Sequence, residues 1–277
     1  MFLTFPSLPA IFAFKAGPGG IRKRGEKMKT VCRTDRGKIR SLNEDRVGVF
    51  TNKAGVLLAV VADGMGGHKA GDVASEMALT LIQQLWEPTE DTDTPEACEK
   101  WMRESIQKVN KEILDYANTH PDCYGMGTTL VCAVCHDRFV TVGNIGDSRC
   151  YLANADQFKQ LTDDHSLVNE LVKSGQIKKE EAENHPIKNI LLRALGTEDE
   201  AKMDIHSIGV QEGDYLILCS DGLTNKVSDR ELYEILLSDL SLEEKADRLI
   251  RQANEYGGED NITLALVHYD PSEKGGE

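Results

Sequence analysis

No apolar run in this chain is long enough to cross a bilayer, which excludes a membrane-spanning helix. Positive charge is scarce: 32 Lys and Arg stand against 46 Asp and Glu, a net charge of −14 over 277 residues. Such a surface repels polyanions and argues against nucleic acid and anionic membranes as partners. A disulfide framework is missing as well. Seven cysteines are an odd number, and Cys132, Cys150 and Cys219 lie inside apolar stretches, a pattern of reduced, buried thiols in a cytoplasmic protein. Cys132 and Cys135 form a lone C-x-x-C with no second pair, which argues against a zinc site. There is no internal repeat and no low-complexity tract.

With 40% hydrophobic residues the chain can build a sizeable core, as one large domain or two small ones. Residues 2–14 are apolar but short, interrupted by two prolines and without a basic start, so they make a poor signal peptide. Strand-like patterning begins at Met28. Met28 is therefore expected to be the native start, with 1–27 a non-native or disordered extension, 28–270 the domain and 271–277 a tail.

The stretch Val56–Gly71, VLLAVVADGMGGHKAG, organises the rest. Its aliphatic run reads as a strand buried on both faces that delivers Asp63-Gly64 to the edge of the core. An Asp-Gly pair alone is an ordinary turn. The same event recurs where YLILCSDGL ends in Asp221-Gly222, and the acidic pairs Glu44-Asp45 and Glu259-Asp260 also flank strand-like runs. Apolar residues at 70, 74, 77, 78, 81 and 85 predict a helix, and Thr94-Pro95 opens a second one as N-cap and first-turn proline. Short β-rich segments fill 128–161 as an antiparallel meander. Residues 162–200 are polar and mixed, an expected lobe outside the core with a helical piece at 166–174. Strands return at 203–208 and 214–220, Ser228/Glu231 and Ser241/Glu244 fit S-x-x-E capping boxes, and 261–268 is a final strand. The order predicts an α+β sandwich of two antiparallel sheets covered by helix pairs.

Glu44, Asp45, Asp63, Asp147, Asp221 and Asp260 all sit beside strand runs. Brought together they would repel one another unless a hard cation lay between them, and an all-oxygen set suits Mg²⁺ or Mn²⁺. Cys132–Arg138, CAVCHDR, fits C-x5-R, yet a phosphate loop needs glycine and turned backbone, and this stretch is a glycine-free strand.

SLNED, VVADGMGGHKAG, GMGTTL, GNIGDSR, LTDDHSLV, ILCSDGL and EDNIT occur here in the order found in metal-dependent serine/threonine phosphatases. From about Thr30 to Val267 the chain resembles the bacterial branch of the protein phosphatase 2C family. The resemblance implies a four-layer αββα sandwich with a small flap at about 162–200. It implies that Asp63 bridges two Mn²⁺ or Mg²⁺ ions with the Gly64 carbonyl on one, that Asp221 and Asp260 hold the first, and that Glu44, beside Asp45, binds the second largely through water. Asp147 would share a third, weaker ion with Asp221, and Arg40 would clamp the substrate phosphate through its fork of donors. Water activated between the two metals would attack phosphorus directly, with no phosphoenzyme. Expected partners are proteins phosphorylated on Ser or Thr and a cognate kinase; the enzyme is expected to be a monomer. Met65 stands where many eukaryotic relatives carry a histidine that is a candidate general acid; His68 suits a helix start, and His165 and His185 are expected in structural or surface roles. Two alternatives stay open, a pseudophosphatase serving as a binding module and a two-metal hydrolase of small phosphoesters.

Overall fold

The computed structural model describes residues 28–66, 70–182 and 185–270. The expectations about residues 1–27, the tail 271–277 and His68 fall outside the described residues.

Strands β1 (Met28–Asp35), β2 (Asp45–Thr51) and β3 (Leu57–Met65) lead into helices α1 (Ala70–Trp86) and α2 (Pro95–Thr119). The meander follows as β4 (Gly127–Thr128), β5 (Leu130–Cys135), β6 (Phe139–Ile145), β7 (Arg149–Ala153) and β8 (Phe158–Gln160). After the lobe helices α3 (Leu167–Lys173) and α4 (Lys179–Ala182) come β9 (Asp204–Gly209), β10 (Tyr215–Cys219), α5 (Asp221–Thr224), α6 (Asp229–Leu236), α7 (Leu242–Glu255) and β11 (Ile262–Tyr269). One sheet runs β1-β11-β10-β7-β8 and the other β2-β3-β5-β6-β9, with β4 paired to β3 outside that order. All of these pairings are antiparallel.

The strand period of two sorts the apolar residues into layers. Ala59 and Val61 point between the sheets, where they join Val131, Ala133, Leu216, Leu218, Ala265 and Val267. Leu58, Val60 and Ala62 point the other way, under α1 and α2. Both faces of β3 are covered, which is why its sequence is a continuous aliphatic run rather than an alternating one. On the opposite side Leu232, Leu236, Ala246 and Leu249 of α6 and α7 seal Ile217, Leu264 and Leu266. Both helices open with a complete capping box, and the Thr94 hydroxyl caps α2 by accepting the Ala97 N–H at 3.2 Å. The result is helices, sheet, sheet, helices.

The lobe departs from expectation in one respect. Leu195 is fully buried within the core beneath α1 and α2 and bridges to Thr128, and Ala201, just past the lobe, is nearly buried there too. The C-terminal part of 162–200 is thus stitched into the domain; its polar composition conceals the buried positions.

Candidate active site

The apolar stripe between the sheets ends in acid. On β3 the inward series Ala59, Val61 continues to Asp63, and Asp45 on β2 pairs directly across from it. β10 runs out into Ser220-Asp221, and Asp260 lies two residues before the start of β11. Two short connections that cross from one sheet to the other at this same end carry further site residues: residues 36–44 between β1 and β2, bearing Arg40 and Glu44, and Gly146-Asp147-Ser148 between β6 and β7. Every acid singled out in the sequence therefore lies at one end of the sandwich.

Small polar side chains fix these segments. Asn261 donates through Nδ2 to the carbonyls of Arg36 and Leu42, both at 2.9 Å, and its Oδ1 accepts the Glu44 N–H at 2.8 Å. The Glu44 carbonyl in turn accepts the Gly64 N–H at 3.1 Å and the Ser75 hydroxyl at 2.5 Å. The Asp63 N–H donates to Thr129 Oγ1 at 3.0 Å, and that hydroxyl shares a 2.8 Å hydrogen bond with Ser148, beside Asp147. Glycine is required where these segments meet: a Cβ on Gly64 would overlap the Gly71 carbonyl, and one on Gly222 the Asn261 carbonyl. Asn261, Thr129 and Ser148 were not singled out in the sequence, although each sits within a quoted motif.

Crowding of like charge shows in the titration of the acids. Burial, then Asp45, Asp221, Asp147 and Asp260, push Asp63 well above the usual carboxylate range. Burial lifts Asp45 to about 7 against hydrogen bonds from Thr263 and Ser220, and lifts Asp147 to about 8 with help from Asp221 and Asp164. Asp221 is raised by burial and by Asp260, and Glu44 by burial, partly offset by Arg40. Burial works against the Arg40 charge, but Asp260, Glu44 and Asp63 outweigh it and raise its pKa.

Glu44 Oε1 and Asp45 Oδ1 are buried acceptors that find no donor among the described residues. Among the described residues no three Asp, Glu, His or Cys side chains already converge as a cage for an ion. They lean instead on local partners: Arg40 Nη2 on Asp260 Oδ2 at 2.8 Å, Ser220 on Asp45 Oδ2 at 2.7 Å, and Asn225 on Asp221 Oδ2 at 2.9 Å. Arg40 also stands 4.0 Å from Glu44 Oε2. Carboxylates that repel one another take up such partners, and a divalent cation would compete for them. An all-oxygen donor set with two orphaned buried acceptors fits a hard divalent ion.

Met65 ends β3 opposite Gly127 and has no proton to give. His165 is buried, accepting the Gly146 N–H at Nδ1 (3.1 Å) and meeting Asp204 through Nε2 (3.0 Å), whereas His185 is half-buried. Cys132 is sealed within β5.

The chain is similar to known proteins along most of its length. The Protein phosphatase 2C profile matches residues 35–266. The serine/threonine phosphatase stp of Listeria monocytogenes is 55% identical over 248 residues, covering 90% of this chain and 98% of that protein. The solved structure of serine/threonine phosphatase Stp1 from Staphylococcus aureus superposes with a TM-score of 0.84 at 38% identity, over 91% of this chain and 98% of that one. The catalytic domain of the serine/threonine protein phosphatase PstP, solved in complex with two manganese ions, gives a TM-score of 0.77 at 33% identity, over 87% and 97% of the two chains. Fold, motif order and likeness along nearly the whole described length agree: the chain belongs to the protein phosphatase 2C family.

Proposed function

We propose that this enzyme is a Mn²⁺- or Mg²⁺-dependent phosphatase of phosphoserine and phosphothreonine in proteins, a cytoplasmic monomer that opposes a bacterial Ser/Thr kinase. One observation carries the reading: carboxylates from separate segments meet around a single guanidinium, with two buried acceptor atoms that find no donor among the described residues. The PstP structure with two manganese ions supports the choice of metal.

Asp63 would serve both of two ions, with the Gly64 carbonyl on one; Asp221 and Asp260 would hold the first, and Glu44, beside Asp45, would reach the second largely through water. Asp147 and Asp221 take a third, weaker ion. Bound divalent cations supply Lewis acidity, making a water nucleophilic near neutral pH and offsetting phosphate charge. Arg40 leaves Asp260 for the phosphate oxygens once the Asp260 charge is otherwise satisfied, and its planar fork matches a phosphate dianion. Asn261 and Thr129 hold the loops in register while substrate binds. The leaving oxygen takes its proton from a donor other than Met65.

The test is phosphate release from a phosphothreonine peptide in EDTA, followed by re-addition of Mn²⁺ or Mg²⁺. Release restored by metal is expected. Folded protein that stays silent with every metal would be a binding module, and faster turnover of sugar phosphates than of peptides would make it a small-phosphoester hydrolase.

A further inference from the structure

The β1–β2 connection reads Arg36-Gly-Lys-Ile-Arg-Ser-Leu42 and places three cations within five residues of a chain whose net charge is −14. Its backbone is bolted down. The Lys38 and Ile39 N–H groups both donate to the Gly258 carbonyl (2.7 and 3.3 Å), and Gly37 N–H donates to Asp35 Oδ1 at 2.8 Å. Asn261 holds the carbonyls at either end of the segment. Gly37 sits at φ +76° with its Cα against the carbonyls of Asp260 and Gly258, a position only glycine fills without strain.

A segment fixed this firmly would be expected to hide its apolar side chain and pair its charges if nothing else used them. It does neither. Ile39 is 70% exposed and Leu42 38% exposed. Arg36 and Lys38 are exposed and make no ion pair or side-chain hydrogen bond among the described residues. Of the three cations only Arg40 is engaged, and it is the one aimed at the acids. Lys38 lies two residues from Arg40 in a bent loop, so their Cα atoms stand at most about 7 Å apart and a peptide with its phosphate on Arg40 brings its neighbouring side chains to this ridge.

We propose that Arg36, Lys38 and Ile39 form a preorganised docking ridge for the polypeptide flanking the phosphorylated residue, and that the ridge favours acidic and aliphatic neighbours over basic ones. This deepens, and rests on, the phosphoprotein reading above. Charge complementarity selects the occupant: the overall negative surface would draw basic peptides, whereas unpaired cations beside the phosphate site draw acidic ones locally. A rigid ridge adds affinity because little ordering is left to do on binding.

The experiment compares kcat/KM for phosphothreonine peptides that differ only in flanking residues: Glu and Leu, all Ala, or Lys. The ratio between peptides is the readout, so any general loss of activity cancels. Wild-type enzyme is expected to favour the Glu/Leu peptide over the Lys peptide by about five- to tenfold, the scale of a few exposed charge pairs. The double variant Arg36→Glu/Lys38→Glu is expected to abolish or invert that ratio, and Ile39→Ser to shrink the advantage of Leu over Ala. If the double variant does not fold, the wild-type ratio decides, since an electrostatic preference falls as salt rises from about 0.02 to 0.5 M. A wild-type preference for Lys flanks, a ratio unmoved by charge reversal, or one indifferent to salt would overturn the ridge while leaving phosphopeptide hydrolysis standing. Failure to hydrolyse all three peptides would instead overturn the phosphoprotein reading, and the ridge with it.

Discussion

Arg40 stands between two carboxylates, 2.8 Å from Asp260 and 4.0 Å from Glu44. In the proposed reaction it exchanges those partners for phosphate oxygens, so its removal costs substrate binding first. Arg40→Ala is expected to raise KM about tenfold or more while kcat falls less, as steady-state kinetics on a phosphothreonine peptide would reveal. An unchanged KM would remove Arg40 from the phosphate site. Asp221 and Asp260 carry a different load. Asp221→Ala or Asp260→Ala should eliminate turnover and weaken Mn²⁺ binding measured by calorimetry; near-normal activity in Asp221→Ala would refute its assignment as a ligand. Sequence alone marks Asp221 and Asp260 through their places at strand ends, and Arg40 through the family resemblance. It could not pair Arg40 with Asp260, 220 residues apart, because nothing local encodes a contact made by two different loops.

Among the elements, those with a strong local signature were readable. The aliphatic run of β3 announced a strand covered on both faces, and S-x-x-E announced the starts of α6 and α7. In α7 the Ser241 hydroxyl accepts the Glu244 N–H at 3.3 Å, and Glu244 Oε2 accepts the Ser241 N–H at 2.9 Å. Ser241→Ala is expected to cost about 1 kcal/mol of stability, seen as a lower Tm. Because Ser241 sits at the end of α7 opposite Asn254, which donates to Asp35 at 3.0 Å beside the Arg36–Leu42 segment, kcat should stay as it is; a large fall in kcat would mean that loss of the cap is felt along the whole helix. The lobe was harder to read. Leu195 is one buried leucine in a polar neighbourhood, held by a single bridge to Thr128, and neither periodicity nor composition marks such a position. Asn261 escaped notice for a related reason: its three hydrogen bonds run to backbone groups far away in sequence.

Taken whole, the molecule is a pair of sheets whose shared interior is dry along most of its length and acidic at one end. Cys132, Cys135 and Cys219 lie within that β framework, and burial pushes each thiol up to about 12; burial also raises Cys150 well above the usual thiol range. A thiol held so far above neutrality stays protonated and unreactive. These four cysteines should resist iodoacetamide at about pH 8 in native protein and react promptly once urea unfolds it, as mass spectrometry of the labelled chain would report. Labelling of Cys132 in the native state would contradict its burial and reopen the C-x5-R reading that its strand environment excludes.

β11 lies inside its sheet, with β1 on one side and β10 on the other, and the residues just before it are Asp260 and Asn261. Translation delivers that strand after every other strand and helix described. A nascent chain still short of it has no partner for the inner edge of β1 and no anchor for the Arg36–Leu42 segment. Its acid cluster also lacks one member. With Asp260 in its proposed role, a chain cut short of β11 is expected to be inactive, so incomplete products of synthesis would carry no power to erase phosphorylation.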